Sequence, residues 1–140
     1  MKKPNLAYVI EDDPITSVIT EMIVRRDLRC GEVQQYDNGQ QAFDQLQAAL
    51  CDETSIPDVI FLDLNMPHMD GWEFLDAFAG LQLPKAVCVF VLTSSIHPDD
   101  IAKSQYYKEV KGYFSKPLNS ASMARMVYLL QQGGAEPAQV

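Results

Sequence analysis

The chain has 140 residues, of which 47% are hydrophobic, and this length and composition fit one globular domain with a buried core. Its formal net charge of -8 argues against binding to nucleic acid, which normally requires a basic surface. The sequence has no apolar stretch long enough for a membrane span and no secretory signal pattern, so we expect a cytoplasmic protein without membrane association.

Short apolar runs alternate with segments of helical period, a pattern typical of βαβ units and a mostly parallel sheet. Residues 6–10 form the first predicted strand. Asp13 followed by Pro14 predicts a helix start, because aspartate caps free N–H groups and proline suits the first helical position. The apolar residues of this helix recur on one face: Ile15, Val18, Ile19, Met22 and Ile23.

The middle of the chain contains one weak and two strong strand signals. The short run at 33–36 predicts an edge strand, and Asn38 after it predicts the cap of a second helix. The unbroken apolar runs at 59–62 and 87–92 are typical of strands covered by helices on both faces. We therefore expect these two strands in the middle of the sheet.

The remaining helix starts are marked by caps and by a proline. Asp70, with Glu73 three residues later, predicts a capped third helix. Pro98 opens a fourth helix and Asn119 caps a fifth, after a short predicted strand at 113–114.

The single domain is expected to cover residues 1–132. Gly133 and Gly134 end the last predicted helix, and residues 133–140 are too short and polar for a domain, so we expect a flexible C-terminal tail. No second domain is predicted after residue 132.

Polar residues follow the predicted strands. In an open parallel sheet the functional groups gather beyond the carboxyl ends of the strands, which places these residues at one edge. They are Glu11, Asp12 and Asp13 after the first strand, Asp63 and Asn65 after the third, Thr93, Ser94 and Ser95 after the fourth, and Ser115, Lys116 and Pro117 after the fifth.

The acidic residues of this edge have both structural and chemical interpretations. Asp13 is best explained as a helix cap. Glu11, Asp12 and Asp63 could be ordinary loop carboxylates, but three acids brought together repel one another unless a positive charge lies among them. Hard divalent cations such as Mg²⁺ bind through carboxylates, carbonyls and water, which matches these residues. The histidines and cysteines have no metal-site spacing, and Trp72 is interpreted as a packing residue.

Taken together and in order, the motifs resemble the receiver domain of bacterial two-component response regulators. The matching segments are Glu-Asp at 11–12, Phe-Leu-Asp-Leu-Asn-Met-Pro at 61–67, Met-Asp-Gly at 69–71, Thr-Ser at 93–94 and Tyr-Phe-Ser-Lys-Pro at 113–117. The resemblance implies a flavodoxin-like (βα)5 α/β fold, a three-layer sandwich whose parallel sheet has the strand order 2-1-3-4-5. In that order Glu11 and Asp12 lie beside Asp63.

By resemblance, Asp63 is the phosphoacceptor of a phosphorelay and receives its phosphoryl group from a sensor histidine kinase or a histidine phosphotransfer protein. The resemblance also implies a Mg²⁺ or Mn²⁺ ion. Its implied ligands are Asp12, the Asp63 carboxylate and the Asn65 backbone carbonyl, with Glu11 acting through water. Such a domain is not an enzyme beyond its own phosphorylation and dephosphorylation.

Three further residues carry implied roles in catalysis and readout. Because no second domain is predicted after residue 132, the resemblance also implies signalling by protein–protein contact with no attached output domain. Lys116 and the Thr93 hydroxyl each contact a phosphate oxygen, and Thr93 and Tyr113 form the switch. The surface altered would be the fourth helix, fifth strand and fifth helix, roughly 98–130, where a downstream protein binds. Tyr106, Tyr107 and Lys111 are its candidate exposed residues. A phosphorylation-dependent dimer is compatible with the resemblance.

The chain departs from the family pattern at Glu11, where many receivers have Asp. The run of three acids leaves the metal-binding pair ambiguous by one residue, and we choose Glu11 and Asp12 because they directly follow the apolar run. The Lys116–Pro117 peptide is expected to be cis, again by resemblance.

Two other classes of protein fit the sequence less well. An aspartyl-phosphate phosphohydrolase usually carries a second acid two residues after its nucleophile, but this chain has Asn65 there and no sign of a substrate cap. A flavin-binding electron carrier needs a hydroxyl-rich, glycine-rich phosphate loop after the first strand, and this loop is acidic instead.

Overall fold

The computed structural model describes residues 4–94 and 97–131, and within them five parallel strands form one sheet in the order β2-β1-β3-β4-β5. The strand order and the flavodoxin-like fold implied by the resemblance are confirmed. The apolar runs predicted for the middle of the sheet are indeed the central strands. The strands are β1 (Leu6–Ile10), β2 (Glu32–Tyr36), β3 (Val59–Asp63), β4 (Cys88–Thr93) and β5 (Val110–Ser115).

The predicted strand at 113–114 was too short. Strand β5 begins at Val110, although Lys111 and Gly112 interrupt its apolar character. Tertiary pairing with β4 extends it, with a register irregularity opposite Val89 and Phe90. Pairing with a neighbour can hold residues of low strand propensity in a sheet, and this explains why the sequence pattern missed them.

Within the described residues five helices flank the sheet, and the predicted caps are present. The Asp13, Asn38 and Asp70 side chains each accept a backbone N–H bond at a helix start, and Asp70 and Glu73 form a reciprocal capping box. Asn119 accepts from the Ser122 N–H at 2.9 Å. The helices are α1 (Pro14–Asp27), α2 (Gly39–Ala48), α3 (Gly71–Ala79), α4 (Pro98–Ser104) and α5 (Ser120–Gln131), with a 3-10 turn at Glu53–Ser55.

Alternate residues of each central strand face opposite layers of helices. On β1, Tyr8 and Ile10 pack with α2 and α3, whereas Ala7 and Val9 pack with α1 and α5. Both faces of the central strands are therefore buried, which explains their unbroken apolar runs. Among the described residues no helix is long and apolar enough to cross a bilayer.

Helix α1 does not bury the apolar face that its sequence pattern marks. Its buried residues are Ser17, Thr20 and Val24. The Ser17 hydroxyl donates to the Gln35 side chain of β2 at 2.9 Å. The apolar stripe lies on the opposite side in solvent, at Ile15, Val18, Ile19 and Met22, whereas Ile23 is partly buried against the core. The helix itself was correctly predicted.

Gly133, Gly134 and the predicted tail at 133–140 lie outside the described residues, as does Ser95. The described part of the last helix ends at Gln131.

Candidate metal and phosphoacceptor site

The register of the sheet brings the ends of β1 and β3 together. Ile10 pairs with Leu62, so Glu11 and Asp63 follow on neighbouring strands at the same level. Asp63 also pairs with Leu92 of β4, which places it at the centre of the edge. These acids therefore cluster at the carboxyl end of the sheet, as predicted.

Three carboxylates meet at this edge. One oxygen from each of Glu11, Asp12 and Asp63 lies within 4.8 Å of the others. Glu11 and Asp63 are only 4% and 3% exposed, whereas Asp12 is exposed. The cluster therefore has a buried floor and one side chain at its solvent opening.

Lys116 supplies the positive charge of the cluster. Its Nζ donates to Glu11 Oε1 at 2.9 Å and to Asp63 Oδ1 at 3.3 Å. The backbone N–H of Lys116 donates to the Thr93 carbonyl at 2.7 Å, which ties the residue to the end of β4. The following peptide, Lys116–Pro117, is cis, as expected. Lys116 thus lies where the resemblance implied.

The buried acids have raised pKa values. Burial raises the pKa of Glu11 to about 7, and the negative charge of Asp63 adds to the rise while Lys116 opposes it. Burial also raises the pKa of Asp63, against the effect of Lys116. For Lys116 burial acts to lower the pKa, but its bonds to Glu11 and Asp63 outweigh burial and raise it. The ammonium therefore compensates only part of the acidic charge.

Hard divalent cations fit this donor set. Carboxylate oxygens from two strand ends converge to within 4.8 Å of one another, and one ammonium cannot balance three carboxylates. Mg²⁺ and Mn²⁺ favour oxygen ligands and usually keep several waters, so an opening at Asp12 suits them. Asp12, Asp63 and Glu11 are the described residues positioned to hold such an ion.

Asp13 lies next to this cluster without joining it. Its side chain accepts from the Thr16 N–H at 3.1 Å and caps α1. Its backbone N–H donates to Glu11 Oε2 at 3.2 Å, so the main chain of Asp13 orients Glu11. The choice of Glu11 and Asp12 as the metal-binding pair stays a prediction. The backbone contribution of Asp13 could not be read from residue types.

Gly71 permits the close approach of α3 to the strand that carries Asp63. A Cβ atom at this position would lie 2.6 Å from the Asp63 carbonyl oxygen and 2.7 Å from Leu64 Cα. The Gly71 N–H donates to the Leu64 carbonyl at 3.0 Å. Glycine is needed for this packing because any side chain would collide with backbone. The Met-Asp-Gly motif at 69–71 marks this glycine in the sequence, but residue types alone do not show its packing role.

The remaining candidate residues lie around the same edge. Thr93, the last residue of β4, is 2% exposed. Tyr113 of β5 has a buried hydroxyl oxygen, so its ring is turned inward. Burial raises the pKa of Tyr113, with a further rise from Asp100, while the Thr93 side chain opposes the rise. Asn65 is exposed, and its backbone forms a hydrogen bond that lowers the pKa of Asp63.

Comparison with known proteins gives the class of this domain. The family model described as "Response regulator receiver domain" matches residues 7–128. The chain therefore belongs to the response regulator receiver domain family. A two-component response regulator from Cytophaga hutchinsonii has a similar structure, with a TM-score of 0.82 and 31% identity over 93% of this chain and 99% of the other.

Several curated proteins are similar in sequence. Response regulator Rcp1 of Synechocystis is 30% identical over 89% of this chain and 84% of its own length. The crystal structure of its Mn²⁺-bound form has a TM-score of 0.66 with 27% identity, covering 98% of this chain and 99% of that one. The probable methanogenesis regulatory protein FilR2 of Methanothrix harundinacea is 28% identical over 89% of this chain and 79% of its length.

Some relatives are much longer than the matched region. The nitrate/nitrite response regulator protein NarL of Escherichia coli is 24% identical over 94% of this chain but only 57% of its own length. An uncharacterized response regulatory protein of Vibrio cholerae is matched over 33% of its length at 40% identity. The shared part is the receiver domain.

We expect the metal-free protein to become more stable as the pH falls from about 8 to about 5.5. The pKa of Glu11 is about 7 in the folded state and near 4.5 when unfolded, so the folded state binds its proton more tightly and stability is lost as pH rises through this range. The gain should be on the order of 2 kcal/mol in the free energy of unfolding. Urea unfolding with excess chelator measures it.

Two variants show whether Glu11 is the source of this pH dependence. Glu11→Gln should flatten the dependence of the free energy of unfolding on pH. Glu21→Gln is the control, because Glu21 is paired with Arg25 on the surface and its pKa is lowered rather than raised. An unchanged slope in Glu11→Gln would assign the proton uptake to another group.

Proposed function

We propose that this receiver domain is a phosphorylation switch that accepts a phosphoryl group on Asp63. One observation carries the proposal: Asp63 is a buried carboxylate at the end of a central strand. Its Oδ1 lies 3.3 Å from Lys116 Nζ, and one of its oxygens lies within 4.8 Å of oxygens of Glu11 and Asp12. A side chain held in this way can act as a nucleophile while neighbouring groups neutralise the charge on the phosphoryl oxygens.

The proposed donor is a phosphohistidine on a sensor histidine kinase or a histidine phosphotransfer protein. An Asp63 oxygen forms a bond to phosphorus, and the P–N bond to the imidazole breaks with its electron pair remaining on nitrogen. The product is an aspartyl phosphate and a histidine that takes up a proton from solvent. Catalysis of such a transfer is mainly positioning and neutralisation of charge.

The residues around Asp63 have separate parts in this step. Lys116 presents an ammonium that contacts a phosphoryl oxygen, and Thr93 offers a hydroxyl to another. Asp12, the Asp63 carboxylate and the Asn65 carbonyl would hold a divalent ion, with Glu11 acting through water. The bound ion supplies positive charge to the phosphoryl oxygens. Asn65 offers no acid or base for turnover of other phosphate esters.

The conformational effect of phosphorylation on Asp63 is proposed to pass through Thr93 and Tyr113. The coupling is positional, because Thr93 and Tyr113 lie on the adjacent strands β4 and β5 near the edge that carries Asp63. A phosphoryl group shifts a conformational equilibrium only if it contacts one arrangement better than the other. The Thr93 hydroxyl provides that difference, and the inward Tyr113 ring occupies the space beside it.

The proposed output surface consists of α4, β5 and α5. Tyr106, just after α4, is 88% exposed and is the most accessible aromatic residue on this surface. Tyr107 is less accessible than expected, because its hydroxyl donates to Asp76 at 2.5 Å and its ring packs near Trp72. Lys111 is half-buried. A downstream protein would bind this face.

Phosphorylation is tested by incubating the protein with Mg²⁺ and a small acyl phosphate, followed by intact mass measurement. We expect one phosphoryl adduct that is stable to acid and labile to base, and no adduct in Asp63→Asn. Asp70→Asn is the matched control, since asparagine caps a helix as well as aspartate does. Labelling of Asp63→Asn, or labelling that persists in excess chelator, would contradict the assignment.

The metal ligands are tested by calorimetric titration with Mg²⁺. Asp12→Ala should weaken binding by at least about tenfold, because it removes a direct ligand. Asp13→Ala should keep the affinity, because the backbone N–H that orients Glu11 remains, and should only weaken the start of α1. The reverse result would move the acidic pair by one residue.

The readout is tested by amide chemical shifts of the phosphorylated protein. Tyr113→Ala should leave labelling of Asp63 nearly intact and reduce the shift changes across α4, β5 and α5. Tyr113→Phe keeps the ring but removes the hydroxyl, so this variant distinguishes the effect of ring burial from the effect of the hydroxyl. If Tyr113→Ala gives the parent's shift changes, Tyr113 is a packing residue and the switch runs through another element.

A further inference from the structure

Two pairs of side chains, one from α3 and one from the end of α4, meet in a single cluster. Trp72 and Asp76 are spaced i, i+4 on α3. Lys103 and Tyr107 have the same spacing, with Lys103 in α4 and Tyr107 just beyond its end. Residues with this spacing lie on one side of a helix, and here each pair contacts the other. We call these four residues the α3–α4 clasp.

Three kinds of contact join the residues of the clasp. The Lys103 ammonium lies 4.4 Å from the centroid of the Trp72 ring, within the range of a cation–π interaction. The Trp72 and Tyr107 rings are inclined by 31° with their centroids 6.2 Å apart. The Tyr107 hydroxyl donates to Asp76 Oδ1 at 2.5 Å. This bond, and after it burial, raises the pKa of Tyr107 to about 12, so the hydroxyl keeps its proton at neutral pH.

Helix α4 is held with few buried side chains of its own. Of its seven residues, all within the described part of the chain, only Ser104 is buried. The Ser104 hydroxyl donates to the Ile101 carbonyl of the same helix at 2.7 Å. An element with few buried contacts opens or shifts at a low cost in free energy. The clasp is therefore an important support of α4.

The α3 end of the clasp is tied to the strand that carries Asp63. Trp72 directly follows Gly71, whose N–H donates to the Leu64 carbonyl at 3.0 Å. A Cβ atom on Gly71 would lie 2.6 Å from the Asp63 carbonyl oxygen, so the backbones of α3 and β3 are in close contact there. A displacement of the Asp63 backbone would reach Trp72 through one intervening residue.

The other end of the clasp is tied to β5. The Tyr107 N–H donates to the Ser104 carbonyl at 3.1 Å, and the Tyr107 carbonyl accepts from the Val110 N–H at 3.0 Å. Ser104 is the last residue of α4, and Val110 is the first residue of β5. The clasp thus connects the phosphoacceptor strand with the proposed output face.

We propose that the α3–α4 clasp is an autoinhibitory contact that holds α4 in the arrangement of the unphosphorylated domain. This inference rests on the proposed phosphorylation of Asp63 and adds a resting-state restraint to the readout through Thr93 and Tyr113. A phosphoryl group shifts the equilibrium only by the free energy with which it favours one arrangement over the other. The contacts of the clasp loosen as α4 moves, so they oppose that shift, and weakening them moves the equilibrium towards the phosphorylated arrangement.

Amide hydrogen exchange of the unphosphorylated protein tests whether the clasp holds α4. Lys103→Gln removes the cation–π interaction, and Tyr107→Phe removes the bond to Asp76 while keeping the ring. Each should speed exchange across residues 101–107, relative to intrinsic rates, by about two- to tenfold. Lys108→Gln and Tyr128→Phe are the controls, because they remove the same groups from exposed positions outside the clasp. Unchanged exchange in both clasp variants, or equal acceleration in the controls, would overturn the proposal.

Amide chemical shifts test whether the clasp opposes the switch. In unphosphorylated Lys103→Gln and Tyr107→Phe, the amide shifts of residues 111–115 should lie between those of the unphosphorylated and the phosphorylated parent. A loss of packing without a change in the equilibrium would leave them at the positions of the unphosphorylated parent, and that result would contradict the inhibitory role.

The emission of Trp72, the single tryptophan of the chain, reports directly on the clasp. With Mg²⁺ present throughout, a small acyl phosphate should change the emission of the parent, because the Lys103 ammonium and the Tyr107 ring move away from the indole. The same treatment should leave the emission of Asp63→Asn unchanged.

Intact mass measured on the same samples separates this inference from the proposed function. A parent that acquires the phosphoryl adduct without a change in Trp72 emission would overturn the clasp as an inhibitory contact and leave the assignment of Asp63 standing. A parent that acquires no adduct would overturn the proposed function, and the inhibitory role with it. Faster exchange in the clasp variants would then show a structural contact only.

Discussion

The contact of the Lys116 ammonium with the Glu11 and Asp63 carboxylates is the interaction on which the functional edge depends. Two nearly buried acids would be unfavourable beside each other without it, because burial penalises each charge and the charges repel. The ammonium balances only one of them, and Asp12 adds a third acid. The site therefore retains a deficit of positive charge, which is the electrostatic condition for binding a divalent cation.

The same lysine joins the charged site to the rest of the sheet. Its backbone N–H bonds to the Thr93 carbonyl, and it directly follows β5, which carries Tyr113. A change of charge at Asp63 therefore acts on a residue fixed to the ends of both β4 and β5. Gly71 has a comparable role on the other side, since it lets α3 pack against the backbone of Asp63 and Leu64. Lys116 thus contacts Asp63 through its side chain, and Gly71 contacts the strand of Asp63 through its backbone.

Helix α1 shows that an apolar stripe does not by itself mark the buried side of a helix. Its inner residues are small and polar, and Ser17 satisfies its hydroxyl by bonding to Gln35. Val24 and the following Leu28 supply apolar contact with the sheet. Close packing of small side chains against the sheet leaves the larger aliphatic residues outside. This arrangement stabilises the domain less than burial of the stripe would, because the apolar area stays in contact with water.

The sequence by itself determined the strands of the sheet interior, the helix starts and the acidic edge, because apolar runs, capping residues and strand-end carboxylates are local signals. The motifs at 11–12, 61–67, 69–71, 93–94 and 113–117, taken together and in order, indicated the family and hence the strand order. Tertiary structure decided what local signals cannot carry. It extended β5 back to Val110 by pairing with β4, turned the apolar stripe of α1 to solvent, and set the backbone contact from Asp13 to Glu11. Each of these depends on which elements become neighbours, and that is fixed only when the chain packs.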